Sequence, residues 1–310
     1  MLRLRGLVER PDIAIVHRFR PPPYGGSNQF LTALRNELRA RGLRVSSGAL
    51  ARRTRACLLH SYLVDAEEVH GALPPGCRVV HRVDGPIALY RGSDHGEDRR
   101  IVAINRELAD ATIFQSRYSL DAHRQLGLDL REPVVIPNAV DPRIFSPPPS
   151  RDPLDGRPLR VVATSWSDNP RKGGATYAWL ARNLDPARFE FTFVGRSAVP
   201  IEGGRTLPPL PSRELADVLR ASDVFITASR NEPCSNALLE ALACELPALY
   251  LRSGSHEELV GEAGLGFDDD EAIPDLLEQL AAEVEERRAK IAVPSLADVT
   301  DRYLETLGLP

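Results

Sequence analysis

The chain has 310 residues, of which 43% are hydrophobic and 26% are charged, with a formal net charge of −4 and four cysteines. This length suits two domains of about 150 residues each, and the composition is that of a globular protein rather than a disordered one. No apolar run reaches the roughly 18 residues of a membrane-spanning helix, and residues 1–10 lack the hydrophobic core of a signal peptide. We therefore expect a cytoplasmic protein whose cysteines are reduced and hold no zinc.

Charge is distributed unevenly along the chain. Residues 1–150 carry 22 arginines, no lysine and 16 acidic residues, a balance of +6, while the remaining residues carry 17 basic and 27 acidic side chains, a balance of −10. A basic first half is typical of a protein that meets an anionic acceptor or a membrane surface, although an arginine-rich surface in solvent explains it more simply. No basic tract is interleaved with aromatic residues, so nucleic acid is not expected as a partner.

The first half of the chain alternates short apolar runs with helical stretches. Residues 12–17 form the first predicted strand, and an amphipathic helix from about Ser27 to Arg41 follows a loop rich in Pro and Gly. Further apolar runs begin at Ala56, Arg78, Asp110 and Pro133. Because strands that alternate with helices form a parallel sheet covered on both faces, residues 1–147 are predicted to be a Rossmann-like α/β domain.

The same alternation begins again after residues 148–158, whose Pro, Asp and Gly content predicts a linker. Strands are predicted at 159–164, 189–195, 223–228 and 248–251, with helices at 173–184, 213–221 and 237–244. Residues 159–293 are therefore predicted to be a second Rossmann-like domain, followed by a terminal helix within 294–310. Ligands of such sheets bind where the strands end, so the loops that follow the strands are the candidate sites.

Residues 232–240 read Glu-Pro-Cys-Ser-Asn-Ala-Leu-Leu-Glu and cross from a strand into a helix. Ser235 is the predicted N-cap, and the free amides of the first turn, with the helix dipole, form an anion site suited to a phosphate. Glu232 before this turn and Glu240 within the helix can accept hydrogen bonds from the hydroxyls of a phosphorylated polyol. Taken alone, the pair is more simply two solvated acids at a helix end; the neighbouring motifs reverse that balance.

This stretch resembles the Glu-x7-Glu signature of GT-B glycosyltransferases, in particular the large retaining family 4. Tyr24–Ser27 resembles the family's glycine-rich loop, residues 135–141 its Pro-Asn-Gly-Val-Asp segment, and Trp166–Gly173 its Lys-Gly phosphate loop. Residues 215–223 match the helix that precedes the signature. Each similarity is weak by itself, but five in the family's order identify the chain as a GT-B member.

The resemblance implies two Rossmann-like parallel-sheet domains that face each other across a cleft, with residues 294–310 crossing back to the first domain. It also implies transfer of a sugar from a nucleotide-diphosphate sugar, a UDP-sugar or a GDP-sugar, with retention and without a metal or another cofactor. The acceptor stays open between a small molecule, a glycan and a lipid-linked compound. The alternative is a catalytically degenerate GT-B module that binds a nucleotide sugar or a protein partner.

By the same resemblance, Glu240 holds the ribose hydroxyls, Glu232 contacts the transferred sugar, and Lys172 neutralises the diphosphate. Lys172 and Lys290 are the two lysines of a chain with 37 arginines, which favours a specific use of the ammonium group at Lys172. Ser167, however, stands where the family usually has an arginine. The remaining donor-binding residues that the resemblance implies are Arg171, Arg196, Ser235, Asn236, Ala237, Leu210, Gly25 and Gly26.

In the first domain, the strand that ends in His81-Arg82-Val83-Asp84 lies where the family has a catalytic-region histidine. Strand register points Asp84 rather than His81 toward the cleft, so Asp84 joins Glu232 and Lys172 as a predicted catalytic residue, which either binds a donor-sugar hydroxyl or orients the acceptor. His81 stays open, with about equal weight, between a site residue and a buried structural histidine. Asn138 and Glu257 are further candidates, although residues 253–258 depart from the family's Gly-Gly-x-Pro-Glu loop. The acidic run Asp268–Asp270 is interpreted as a helix start and not as a metal site.

Overall fold

The computed structural model describes residues 10–21 and 25–310. Tyr24 of the glycine-rich loop and residues 1–9, on which the signal-peptide prediction rests, lie outside the described residues. The chain divides into two compact units. Unit 1 contains the described residues up to Arg20 together with Phe30–Asn138 and Pro294–Pro310, and unit 2 contains Pro21, residues 25–29 and Ala139–Val293.

Each unit contains, within its described residues, a six-stranded sheet in which all neighbouring strands run parallel. The order is β2-β1-β3-β4-β5-β6 in unit 1 and β12-β11-β10-β7-β8-β9 in unit 2. In unit 1 the strands are β1 (Ile13–Val16), β2 (Val45–Ser47), β3 (Ala56–His60), β4 (Arg78–Val83), β5 (Ala111–Phe114) and β6 (Pro133–Val135). In unit 2 they are β7 (Leu159–Ser165), β8 (Phe189–Gly195), β9 (Arg205–Leu207), β10 (Val224–Thr227), β11 (Ala248–Leu251) and β12 (Gly264–Phe267). The predicted α/β class is confirmed.

Helices connect the strands and cover both faces of each sheet. The helices are α1 (Gly26–Ala40), α2 (Ala66–Ala72), α3 (Ile87–Arg91), α4 (Glu97–Leu108), α5 (Arg117–Gln125), α6 (Gly174–Asn183), α7 (Ser212–Arg220), α8 (Asn236–Ala243), α9 (His256–Val260), α10 (Ile273–Ala282), α11 (Val284–Ala289) and α12 (Leu296–Thr306). A 3-10 turn, Pro170–Lys172, precedes α6. None of the helices in the described part of the chain is both long and apolar enough to cross a membrane.

The strands are almost continuously apolar because both faces of each sheet are buried. In unit 2, one core cluster packs α6 and α10 against one face around Phe193 and Ile226, and a second packs α7 and α8 against the other face around Phe225. Because helices pack on both faces of the sheet, the ends of its parallel strands stay accessible. Loops that follow β7, β8 and β10 therefore meet at one edge of unit 2.

The terminal helix α12 belongs to unit 1. Its N-cap Ser295 accepts a hydrogen bond from the amide of Asp298, and Tyr303 is fully buried with its ring 5.7 Å from that of Phe30. Arg78 at the start of β4 donates from Nε to the carbonyl of Thr306 at 2.7 Å. Unit 1 is thus completed by residues from both ends of the described chain.

A candidate nucleotide-sugar site in unit 2

Unit 2 contains a cavity of about 200 Å³ at the carboxyl ends of its strands. Its walls come from the ends of β7, β8 and β10, the residues before α7, the first turn of α8 and the start of α1. Many of the residues that sequence reasoning assigned to the donor site line this cavity together. They are Lys172, Glu232, Glu240, Ser235, Asn236, Ala237, Leu210, Gly25 and Gly26.

Lys172 and Glu232 form an ion pair in the cavity wall. Lys172 Nζ lies 2.5 Å from Glu232 Oε2, and the side chains are 29% and 12% exposed. The lysine ends the 3-10 turn, and Gly173 follows it in the left-handed region at φ +83°. A Cβ on Gly173 would lie 2.7 Å from the Cβ of Ala228, so the glycine allows the turn to pack directly on the strand-end residue that precedes the Glu232 loop.

The loop that carries Glu232 is held from the opposite side by the residues before α9. Asn231 has φ +54° and donates from its amide to Ser253 Oγ at 2.9 Å. The Glu232 carbonyl accepts from the amide of Ser255 at 2.9 Å. A Cβ on Gly254 would lie 2.4 Å from the Glu232 nitrogen, so this close approach requires glycine. Glu232 is therefore fixed by backbone contacts as well as by its ion pair.

Helix α8 presents its N-terminus to the cavity. Ser235 is the N-cap, as predicted, and its hydroxyl accepts from the amide of Leu238 at 3.3 Å. The amides of Asn236 and Ala237 lie in the first turn, where they have no intrahelical carbonyl to bind. Gly26 packs so closely on this turn that a Cβ there would lie 2.1 Å from Asn236 Nδ2. First-turn amides, which lack an intrahelical acceptor, and the helix dipole together suit an anion such as a phosphate.

Glu240 lies on the same helix, at the inner end of the cavity. It is 8% exposed, and burial raises the pKa of its carboxyl to about 8. No cation or hydrogen-bond donor in the described part of the chain stabilises the ionised form of this buried carboxyl. Ligand hydroxyls that donate to the carboxylate would reduce the free-energy cost of ionising it. The two predicted carboxylates thus differ, because Glu232 is paired with a lysine and Glu240 is not.

Arg171, Arg196 and Glu257 are not among the described residues that line the cavity. Arg196 is exposed and its guanidinium lies 5.0 Å from the ring centroid of Trp166, which does line the cavity. Glu257 is exposed in the first turn of α9. Within the described cavity lining, Lys172 is accordingly the one side chain with a fixed positive charge.

Sequence reasoning missed three residues that lie in or directly behind the cavity wall. Tyr177 and Ser229 line the cavity, and the fully buried His256 lies next to Ser229, with Nε2 3.1 Å from Ser229 Oγ. Burial raises the pKa of Tyr177 to about 12 and lowers the pKa of His256 below its ordinary value. The departure of residues 253–258 from the family loop was a signal for His256, whereas nothing in the pattern around Tyr177 marks it.

The candidates in unit 1 form a separate polar cluster at the carboxyl ends of its strands. Asp84 follows β4 and accepts a hydrogen bond from Gln115 Nε2 at 2.5 Å, with Arg82 Nη1 at 3.5 Å. The buried Arg82 also donates to Asn138 Oδ1 at 2.7 Å and lies 3.1 Å from His60 Nδ1. Asp84 is 15% exposed, so this cluster holds a carboxylate that is still accessible from one side.

His81 points to the other face of β4, as the strand register predicted. It is fully buried, with Nε2 3.0 Å from the Ser61 carbonyl and Nδ1 3.3 Å from Asn105 Nδ2, and burial lowers its pKa to about 4. These contacts are those of a neutral histidine in a core. His60, which sequence reasoning did not consider, lies with Nε2 3.8 Å from Asp84 Oδ2.

Metal-binding groups are not clustered in the described parts of the chain, where no three His, Cys, Asp or Glu residues are arranged to hold an ion. The acidic run that precedes α10 has other partners. Asp270 accepts a hydrogen bond from Thr176 Oγ1 at 2.9 Å, and Asp268 pairs with Arg252 at 3.3 Å.

Comparison with known proteins gives a match of part of unit 2 to a family model, and a fold. Residues 177–283 match the family model described as glycosyl transferases group 1. A putative glycosyltransferase 45 of a Sulfolobus islandicus filamentous virus is 28% identical over 157 residues. That match covers 49% of this chain and 44% of the viral protein, which is less than half of the relative's length.

Several solved structures share the fold at low sequence identity. Sucrose-phosphate synthase from Thermosynechococcus elongatus has a TM-score of 0.75 at 15% identity, over 94% of this chain and 97% of that one. Anabaena HepE in complex with UDP-glucose has a TM-score of 0.73 at 15% identity, over 96% and 99%. A glycosyltransferase from Rickettsia africae has a TM-score of 0.68 at 12% identity, over 95% and 97%.

The family match covers the signature helix, Glu232 and Glu240, and the two parallel six-stranded sheets of the described chain are those of the structural neighbours. The chain therefore has the GT-B fold, and residues 177–283 of its second unit are similar to the group 1 glycosyl transferases.

Proposed function

We propose that this protein is a glycosyltransferase that moves a sugar from a nucleoside-diphosphate sugar to an acceptor hydroxyl, with retention and without a metal ion. The observation that carries the proposal is the unit 2 cavity, where Lys172 and the first turn of α8 lie together with two carboxylates. Cationic and amide donors suit a diphosphate, and the carboxylates suit ribose and sugar hydroxyls. The HepE structure was solved with UDP-glucose, which makes a UDP-sugar the first donor to test.

Each group then has a defined task. Glu240 accepts hydrogen bonds from the ribose hydroxyls, which favours its ionised form and relieves the cost of its burial. The amides of Asn236 and Ala237, with Lys172, bind the diphosphate. Glu232 contacts the sugar. Because Lys172 is already paired with Glu232, a bound diphosphate must share or take over that ammonium group.

The transfer step needs no covalent intermediate on the protein. The bond from the anomeric carbon to the β-phosphate oxygen breaks, a bond from that carbon to the acceptor oxygen forms, and the acceptor proton passes to the departing phosphate. The residues contribute by positioning the reactants and by stabilising negative charge on the leaving group. Asp84, held by Arg82 and Gln115 in unit 1, is proposed to orient the acceptor, which is a small molecule, a glycan or a lipid-linked compound.

The experiment that tests the proposal is calorimetric titration of UDP, GDP, ADP and dTDP into the protein in the presence of EDTA. We expect one nucleotide to bind, and we expect Glu240→Ala to weaken that binding by at least tenfold, because the ribose loses its acceptor. Turnover of the matching nucleotide sugar with candidate acceptors, followed by proton NMR, then gives the anomeric configuration of the product. Failure of all four nucleotides to bind would reject the proposed donor class.

A second function, nucleotide-sugar binding without transfer, is favoured by one observation. Lys172 is the single fixed cation in the described lining of the cavity, since neither Arg171 nor Arg196 lies there. A diphosphate leaving group develops more charge than one ammonium neutralises. Tight nucleotide binding with no hydrolysis or transfer of the sugar, across acceptors of all three classes, would favour this binding module over the enzyme.

A further inference from the structure

A line of hydrogen bonds runs along the wall of the unit 2 cavity. The Tyr177 hydroxyl accepts from the amide of Ala228 at 3.1 Å and shares a second hydrogen bond with Thr227. Thr227 Oγ1 in turn lies 3.3 Å from Ser229 Oγ. Tyr177, Thr227 and Ser229 are buried, yet all three line the cavity.

The line ends at a fully buried histidine. Ser229 Oγ lies 3.1 Å from His256 Nε2, and His256 Nδ1 lies 2.9 Å from the Leu251 carbonyl oxygen. His256 opens helix α9, directly after Ser255, whose amide holds the Glu232 carbonyl. The histidine is therefore built into the loop that also positions Glu232.

The groups at the two ends of this line determine which atom donates in each of its hydrogen bonds. A backbone amide can only donate, so the Ala228 end starts the line, and a carbonyl can only accept, so Leu251 ends it. His256 must carry its proton on Nδ1, and in a neutral ring Nε2 is then an acceptor. Burial lowers the pKa of His256 and so keeps the ring neutral. The Ser229 hydroxyl consequently donates its single hydrogen bond to His256 Nε2, and Thr227 must donate to Ser229.

We infer that His256 is a positioning residue that holds the hydroxyl proton of Ser229 away from the cavity, so that Ser229 can only accept hydrogen bonds from a donor sugar. This inference rests on the proposed function. Glu232, three residues along the same loop, also offers only acceptor atoms when ionised. Lys172, the cation beside Glu232, is proposed to bind the diphosphate. With that ammonium group engaged, the wall suits a neutral sugar with free hydroxyl groups, and a uronic acid, whose carboxylate would meet the two acceptors Ser229 and Glu232, is disfavoured.

His256 is a feature of this chain rather than of the loop that it resembles. The family loop reads Gly-Gly-x-Pro-Glu, whereas this chain reads Ser253-Gly-Ser-His-Glu257. A proline side chain has no group that could accept a proton from Ser229. The histidine, which stands at the position of that proline, can therefore orient the Ser229 hydroxyl where a proline could not.

The first test reads the histidine directly and needs no ligand. Two-dimensional nitrogen–proton NMR of protein labelled with ¹⁵N-histidine reports the tautomer of each of the seven histidines. His256 is assigned by its loss in His256→Gln. We expect a neutral ring protonated on Nδ1, because burial lowers the pKa of His256. A ring protonated on Nε2 would overturn the inference.

The second test compares the calorimetric affinities of UDP-glucose and UDP-glucuronate. We expect the wild type to bind UDP-glucose at least tenfold more tightly. In His256→Leu, the Ser229 proton is free to turn to the cavity, so this ratio should fall about fivefold, the value of one hydrogen bond. His256→Gln, whose amide oxygen can replace Nε2 as an acceptor, should restore most of the ratio.

Non-additivity separates positioning from a general structural effect. Ser229→Ala should lower the ratio, and adding His256→Leu to it should change the ratio no further, because the histidine acts through the serine. The matched control is Ser222→Ala. Ser222 is 5% exposed, as Ser229 is, but its hydroxyl donates to a backbone carbonyl and it lies outside the cavity. Additive effects of the two substitutions, or equal affinities in the wild type, would overturn the inference.

The two tests also separate this inference from the proposed function. If neither UDP-sugar binds, the proposed uridine donor fails, and the tautomer alone decides whether Ser229 is held as an acceptor. If both sugars bind and the ratio is insensitive to His256→Leu, the donor site stands and the positioning role fails.

Discussion

The pair formed by Lys172 and Glu232 concentrates the positive charge of the cavity in one side chain. We expect Lys172→Met to weaken UDP binding by about ten- to a hundredfold, because a charge-assisted hydrogen bond to phosphate contributes on the order of 1.5–3 kcal/mol. Lys172→Arg should recover only part of the affinity, since a guanidinium differs in reach and geometry from an ammonium. Calorimetric titration with UDP measures both variants.

The chain offers a matched control for this prediction. Lys290, the other lysine, pairs with Glu286 at 2.7 Å on the surface of α11 and does not line the cavity. Lys290→Met should leave UDP affinity unchanged. Equal losses in Lys172→Met and Lys290→Met would mean that the ammonium of Lys172 does not act on the phosphates.

Glu240 makes the stability of the free protein depend on pH. Burial raises the pKa of this carboxyl from an ordinary value of 4.5 to about 8, so the folded state keeps a proton that the unfolded chain releases. Its contribution to stability is complete below about pH 4.5 and is lost as the pH rises through 8. We expect Glu240→Gln to flatten the decline in the free energy of unfolding between pH 5 and 8, by on the order of a few kcal/mol.

Urea unfolding at pH 5, 6.5 and 8 measures this difference. Glu257→Gln is the control, because it makes the same chemical change at an exposed side chain of the same unit, so the difference between the two variants isolates the effect of burial. A profile for Glu240→Gln that runs parallel to the wild type would show that Glu240 is ionised in the folded protein near pH 5.

At the scale of elements, the junction between the 3-10 turn and α6 depends on one glycine. Gly173→Ala combines a left-handed φ of +83° with a Cβ at 2.7–2.8 Å from Ala228, and it should cost about 2–4 kcal/mol. Gly42→Ala is the matched control, since Gly42 has φ +85° but nothing within 4 Å, and should cost about 1 kcal/mol. Urea unfolding of both variants gives the comparison, and equal costs would exclude close packing as the cause.

Sequence patterns predicted the elements that are long or that carry a cap. Ser235 was predicted as the cap of α8 because a serine before an apolar helical run is a local signal. The strands β2, β9 and β12 were not predicted. They are three or four residues long and lie at sheet edges, where pairing with a neighbour rather than an apolar run defines the strand.

The candidate site was predictable to the extent that its residues lie in ordered motifs. Lys172 and Glu232 come together because they lie in the segments that follow β7 and β10, which end at the same edge of the sheet, and Glu240 lies one turn into the helix that starts there. The contact between Ser229 and His256 was not predictable, because it joins residues 27 positions apart through a loop that departs from the family pattern. Such a contact depends on the backbone path of that loop, which no local spacing encodes.

At the scale of the whole molecule, two segments belong to a different unit from the residues next to them in the sequence. Residues 25–29 group with unit 2, and residues 294–310 group with unit 1. Apolar patterns predict that a segment is buried but not which sheet buries it, so the partner of each segment could be inferred from the family resemblance alone.

The terminal segment should contribute strongly to the stability of unit 1. Leu307 is 1% exposed, and Leu307→Ala should cost about 2–5 kcal/mol, the usual range for a buried leucine. Leu63→Ala in the same unit is the control, because Leu63 is 76% exposed and should change stability by less than about 0.5 kcal/mol. Chemical unfolding distinguishes them, and a negligible effect of Leu307→Ala would argue that the segment is dispensable for unit 1.

The scarcity of lysine gives the chain a built-in spectroscopic probe. Reductive methylation with ¹³C-formaldehyde adds methyl groups to lysine side chains and keeps their positive charge. Since Lys172 and Lys290 are the two lysines, the labelled carbon spectrum contains two dimethyl-lysine signals beside that of the α-amino group, one from the unit 2 cavity and one from a surface helix. The first reports occupancy of the cavity and the second is an internal reference, so ligands can be screened without a label on the ligand and without knowledge of the acceptor.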